Sequence, residues 1–138
     1  LPKVADWVEW RRANARVLED RLGGHPALRV PTPGPGSYHA YYRFYAFVVP
    51  ERLKDGWTRD RVAQAVRAEG IPCGSGSCSE IYLEEAFDAA GLAPDARFPV
   101  ARELGETSLA LLVHHTAEER DMLQACAAVE KVLEVAAD

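Results

Sequence analysis

His39–Pro50, HAYYRFYAFVVP, decides how this chain is read. The run is dense in aromatic and β-branched side chains, which pack well on a pleated surface, so it predicts a strand over His39–Val49. Pro50 closes it, because proline has no N–H to give to a ladder. Alternation sorts the side chains. Ala40, Tyr42, Phe44, Ala46 and Val48 share one nearly apolar face, expected to meet helices. His39, Tyr41, Arg43, Tyr45, Phe47 and Val49 share the other, which has polar tips in its N-terminal half. In a small two-layer domain that second face is either an interface or ligand surface, or a wet face with ordinary cross-strand packing.

Helical patterns surround the strand. Pro2–Leu22 carries Val4, Trp7, Val8, Ala15, Leu18 and Leu22 at helical spacing, and Gly23-Gly24 stops it. Trp10 and Val17 fall off that stripe, which predicts a helix touching two bodies. VPTPGPG at Val30–Gly36 predicts an irregular loop. Thr58 is a helix cap, with Val62, Ala65 and Val66 inward and Gly70 at the end. Ile71–Cys73 is short and extended. Ser77 and Glu80 have capping-box spacing for a helix to about Ala90, ended by Gly91. Pro99 suits a helical first turn. Leu109–Val113, LALLV, reads as a buried strand. Thr116 and Glu119 have the spacing of a second box, before a helix burying Met122, Cys126, Val129 and Leu133. Short strands flanked by helices predict an α+β two-layer sandwich: a small, mainly antiparallel sheet with helices packed on one face.

The bulk properties exclude some functions. With 138 residues the chain suits one domain with one core. Its net charge of −5 argues against nucleic-acid or anionic-membrane binding, which needs a basic face. No apolar run is long enough to span a membrane, and the start lacks a signal-peptide order. Leu1 leads the sequence and Met122 is its only methionine, so a start within a longer chain is expected. Cys73, Cys78 and Cys126 are odd in number, which makes a cytosolic location the default and a disulfide framework unexpected.

The loop Cys73–Ser79, CGSGSCS, is small and polar. Its serine hydroxyls and backbone N–H groups suit phosphate or sugar hydroxyls, and equally suit a flexible turn. It is not a phosphate-binding P-loop, which ends in Gly-Lys-Ser/Thr. Cys73, Cys78, His114 and His115 lack zinc spacing, and adjacent histidines on a strand face opposite ways, so no metal site is assigned. Cys78 has no evident partner base. His114 and His115 are read as packing residues, and Glu84, Glu85 and Asp88 as a solvated helix face.

Four segments, in order, resemble the C-terminal domain of the DegT/DnrJ/EryC1/StrS sugar aminotransferases. These are WRRANARVLEDRL (Trp10–Leu22), HAYYRFYAFV, GIPCGSGSCSEIYLEEAF (Gly70–Phe87) and ETSLALLVHHT (Glu106–Thr116). The resemblance implies a fold-type I pyridoxal-phosphate (PLP) enzyme. Such enzymes move an amino group, usually from glutamate, to the keto carbon of a nucleotide-linked sugar, including in cell-surface polysaccharide synthesis. It also implies a cytoplasmic homodimer whose small domain walls the substrate. Matching wall positions are His39, Tyr41 and Arg43 on the strand and Ser75, Ser77 and Cys78 on the loop, for contact and positioning; no catalytic residue is assigned. Residues 1–138 then form the small domain, with 1–22 leading from a large domain that holds PLP. The only lysines here are Lys3, Lys54 and Lys131, none at a cofactor position. The chain alone is therefore expected to be inactive and, with apolar area exposed around Trp10, to self-associate. His115 stands where relatives have proline, and SCSEIY replaces a Pro-Leu-His ending, which leaves the sugar unassigned. The alternatives are a stand-alone binding or regulatory module without catalysis, and an unrelated interaction domain.

Overall fold

The computed structural model describes residues 2–138; the start at Leu1 lies outside the described residues. Five helices are formed: α1 (Val4–Leu22), α2 (Arg59–Ala68), α3 (Glu85–Ala89), α4 (Pro99–Thr107) and α5 (Glu119–Ala136). Four short strands, β1 (Leu28–Arg29), β2 (Phe44–Val48), β3 (Cys73–Gly74) and β4 (Ser108–Leu111), make one antiparallel sheet in the order β1-β2-β4-β3.

The register explains the core. Phe44 pairs with Leu111, which pairs with Cys73; Ala46 pairs with Leu109, and Val48 with Leu28. Directly opposed residues share a face, so these side chains form one apolar surface. Ala15, Leu18 and Leu22 of α1, Val62 and Val66 of α2, and Met122, Cys126, Val129 and Leu133 of α5 complete the same buried cluster. The α5 stripe is the one its sequence spacing predicts. Burial drives the Cys126 thiol up to about 11, so it stays a neutral core group. The expected α+β layers are therefore present, with α1, α2 and α5 on one face. The shorter α4 runs directly into β4 and packs against β2.

Three local expectations are corrected, and one strand is added that the sequence does not announce. First, β2 is shorter than His39–Val49, because Tyr41 sits at φ 45° and ends the extended run. Its N–H donates to the His39 ring at 3.2 Å, a local bond that competes with a ladder. The turn reverses the sides of its neighbours: Tyr41 joins the core, while Ala40 and Tyr42 are exposed. Second, β1 carries no strand signal and forms only because Leu28 and Arg29 lie beside β2. Third, no helix runs from Ser77 to Ala90. The Glu80 carboxylate binds Arg97 and Tyr82 instead of a helix start, and a single turn, Ile81–Leu83, precedes α3. Fourth, α5 is capped by Glu118 with Asp121, not by Thr116 with Glu119. The Thr116 hydroxyl is already engaged, 2.8 Å from His114 Nδ1. Elsewhere the caps hold: Thr58 accepts the Arg61 N–H, and Pro99 opens α4.

Candidate functional site

The sheet's other face is where the sequence places its candidates. Tyr45 opposes Ala110, which opposes Gly74, and Phe47 opposes Ser108. The loop after β3 folds back across this face. Gly76 has φ 86°, and a Cβ there would lie 2.6 Å from Tyr45 Cε1, so only glycine lets the loop reach the ring. The Ser108 hydroxyl donates to the Ser75 carbonyl at 2.5 Å. Arg59, anchored in α2, donates to the Ser108 carbonyl at 2.8 Å. Further along, Ser79 sits so close to α4 that a Cβ on Gly105 would meet its hydroxyl at 2.2 Å.

Two recesses lie beside this face, and Tyr45 lies in both linings. The first, of about 220 Å³, is lined by His39, Tyr41, Arg43, Phe44 and Tyr45 with Pro31–Pro33. The second, of about 510 Å³, lies between the loop and α4 and is lined by Tyr45, Phe47, Ser77, Ser79, Phe98 and Leu104, among others. The predicted strand residues therefore meet in one recess, and Ser77 lines its neighbour. Ser75 contributes its carbonyl to the loop anchor. Cys78 lines neither recess; it is exposed, with Sγ 3.6 Å from Glu84 Oε1. Ser108 and the α4 wall with Phe98 and Leu104 are not legible in the sequence. Their side chains carry no chemical signature, and only the fold of the loop brings them together.

The polar groups differ in freedom. The Tyr41 hydroxyl donates to Glu19 at 2.5 Å, and burial with that bond pushes its pKa up to about 12. His39 meets the Tyr41 ring edge-on at 4.3 Å, and its carbonyl accepts from Arg12 at 3.1 Å. Arg43 is half-buried with its guanidinium near the Tyr42 ring at 5.7 Å. Among the described residues it makes no ion pair and no side-chain hydrogen bond within the recess, so its donors are free for an anion.

Beyond the loop, Glu80 accepts from Arg97 Nε at 2.8 Å and from the Tyr82 hydroxyl at 2.7 Å. The Tyr82 hydroxyl accepts the Phe98 N–H at 2.9 Å, and the two rings meet edge-to-face at 4.9 Å. Arg97 holds the Glu80 carboxyl down to about 2. Elsewhere, His115 stacks on Trp7 at 4.6 Å with its Nδ1 buried and unpartnered, and burial lowers its pKa. His115 packs as read, but His114 is exposed and the pair lies beyond the end of β4 with rings 4.1 Å apart, so the two do not face opposite ways.

The residues present do not fit PLP. A cofactor aldehyde needs a lysine amine, but Lys54 donates to the Val135 carbonyl at 3.3 Å and Lys131 pairs with Glu69 at 2.7 Å. Lys3 is exposed beside the start of α1. None lines either recess. No metal-holding cluster occurs among the described residues, and no described helix is long and apolar enough to cross a membrane.

Comparison with known proteins follows the same lines. The model of the DegT/DnrJ/EryC1/StrS aminotransferase family matches residues 1–130. No protein of curated function matches. Among solved structures, an aminotransferase from Psychrobacter cryohalolentis is 39% identical with a TM-score of 0.89, covering 97% of this chain and 36% of its own. Helicobacter pylori PseC, an aminotransferase of pseudoaminic acid biosynthesis, superposes with a TM-score of 0.84 at 13% identity, covering 98% and 35%. An E. coli GDP-4-keto-6-deoxy-D-mannose-3-dehydratase with bound hydrated PLP gives 0.72 at 20% identity, covering 94% and 32%. The last two show the fold alone. The chain thus spans about a third of the length of the structures it matches. A family match over 1–130, joined to 39% identity across nearly the whole chain, makes it a member of the DegT/DnrJ/EryC1/StrS aminotransferase family.

Proposed function

We propose that this chain is the substrate-side domain of a PLP-dependent aminotransferase that moves an amino group from glutamate to a nucleotide-linked keto-sugar. The observation that carries the reading is Arg43. A half-buried guanidinium without an acidic partner, beside tyrosine and histidine, is suited to a substrate phosphate. Ser77 in the adjoining recess is suited to sugar hydroxyls, and the Ser75 carbonyl anchors the loop through Ser108, while Cys78 lies exposed beside it. His39 and Tyr41 shape the recess; Tyr41 stays protonated and tied to Glu19 at neutral pH. These residues bind and orient, and none is assigned a proton transfer. The cofactor and its lysine belong to the rest of a longer protein, which acts as a cytoplasmic homodimer. The family match and the aminotransferase at 39% identity support this reading.

The test uses the protein carrying both this domain and a PLP-binding domain. Arg43→Ala is expected to raise the sugar KM by about tenfold to a hundredfold, the value of a lost charge-assisted hydrogen bond, with kcat changed far less. An unchanged KM would refute the assignment. The 138-residue chain, given PLP, glutamate and a keto-sugar nucleotide, is expected to show no turnover; turnover would remove the claim that it only positions substrate.

A further inference from the structure

We infer that Glu80 and Arg97 form a positioning clasp, which fixes the distance between the two walls of the larger recess. One wall is the loop with Ser77 and Ser79; the other begins at Phe98 and continues along α4 to Leu104. Glu80 directly follows the loop, and Arg97 directly precedes Phe98. Among the described residues, no backbone–backbone hydrogen bond joins 75–80 to 97–104. The walls are joined instead by side chains of the clasp. Both Glu80 oxygens are used: Oε1 accepts from Arg97 Nε at 2.8 Å and Tyr82 at 2.7 Å, and Oε2 accepts from Arg97 Nη2. Tyr82 then passes the link to the Phe98 N–H at 2.9 Å.

The burial is unequal in a telling way. The Glu80 side chain is 11% exposed, while that of Arg97 is 43% exposed. The carboxylate is the fixed centre, and the guanidinium closes on it from outside. Arg97 also reaches Glu106 of α4 at 3.6 Å, which ties the clasp to the helix that forms the far wall. Between the two partners the chain makes an excursion of 17 positions, with Leu83 and Leu92 exposed; besides the clasp, the walls meet where Ser79 packs against Gly105 and where the Ser108 hydroxyl holds the Ser75 carbonyl. A bidentate pair supplies both energy and fixed geometry at that junction. Glu80 is the acid of the SCSEIY segment, whose capping-box reading failed because its carboxylate serves this clasp.

The proposal rests on the reading of the loop as a substrate wall, and two measurements separate them. In the 138-residue chain, amide hydrogen exchange is followed at 75–79, at 98–104 and in α5. Glu80→Ala is expected to speed exchange at both walls by about tenfold while α5 is unchanged. Arg97→Lys keeps the charge but loses the fork, and is expected to loosen the same two segments. Glu80→Ala combined with Arg97→Ala is expected to go no further than Glu80→Ala alone. Unchanged exchange at the walls, or an equal rise in α5, would overturn the clasp. In the protein with its PLP domain, Glu80→Ala is expected to raise the sugar KM by about tenfold and to leave kcat within about twofold. Walls loosened at unchanged KM would overturn the substrate-wall reading while keeping the clasp.

Discussion

Tyr41 is the only non-glycine residue at positive φ among the described residues, and its hydroxyl explains why that is tolerated. The backbone turns so that the ring enters the core and reaches Glu19 at 2.5 Å. Tyr41→Phe keeps the ring and removes the bond, leaving a half-buried carboxylate without that donor. The expected cost is about 1–3 kcal/mol in urea unfolding. The pH dependence has a definite sign. A tyrosine pKa raised from 10.0 to about 12 means the folded state holds the proton more tightly. That stability is complete below about pH 10 and is lost as pH rises through about 12. Tyr41→Phe should therefore flatten the alkaline limb of the stability curve; an identical limb in the variant would remove Tyr41 as its source. Glu80 runs the other way. Its pKa is lowered from 4.5 to about 2, first by Arg97, so its contribution is present above about pH 4.5 and lost as pH falls toward 2. A carboxyl NMR titration of Glu80 with a midpoint near 4.5 would show that the clasp does not form in solution.

At the scale of elements, legibility followed the number of residues carrying one signal. The α5 stripe from Met122 to Leu133 repeats over several turns and is legible, as is the Thr58 cap of α2; the strand expected over Leu109–Val113 is Ser108–Leu111 instead, with Leu112 exposed. β1 was missed because a two-residue strand is specified by its neighbour, not by its own sequence. The SCSEIY segment was misread because Ser77 and Glu80 have helix-cap spacing, yet Arg97 lies 17 positions beyond Glu80 and claims its carboxylate. Of the candidate site, the aromatic strand and serine loop were visible as residue types. The wall supplied by α4 was not, since Phe98 and Leu104 resemble any amphipathic helix until the loop packs beside them. The loop offers its own test. Gly76→Ala adds a Cβ 2.6 Å from the Tyr45 ring at φ 86°, so about 1–3 kcal/mol of destabilisation is expected. Gly24→Ala meets nothing within 4 Å and should change stability by less than about 0.5 kcal/mol. Equal effects of the two, by thermal unfolding, would show that the loop does not rest on Tyr45.

For the whole molecule, the two ends of α1 have opposite environments. Its C-terminal half supplies Ala15, Leu18 and Leu22 to the core, with no exposure at all. Its N-terminal half leaves Val4, Trp7 and Trp10 at 40%, 41% and 59% exposure, and nearby loops add Tyr38 and Tyr42 at 65% and 76%. Arginines border these rings: Arg12 lies over Tyr38 at 4.7 Å and Arg11 near Tyr42 at 5.9 Å. Their guanidinium groups keep the patch hydrated in part, but among the described residues no such group lies over Trp10. Exposed aromatic area of this kind drives association when concentration allows. The 138-residue chain is therefore expected to form dimers or larger species as its concentration rises, with contacts at the N-terminal half of α1. Trp10→Ser should weaken that association without lowering thermal stability, because the side chain is mostly in water already. Sedimentation velocity across a wide concentration range decides it. A constant monomer value for the parent chain would show that the bordering charges suffice to keep this face solvated.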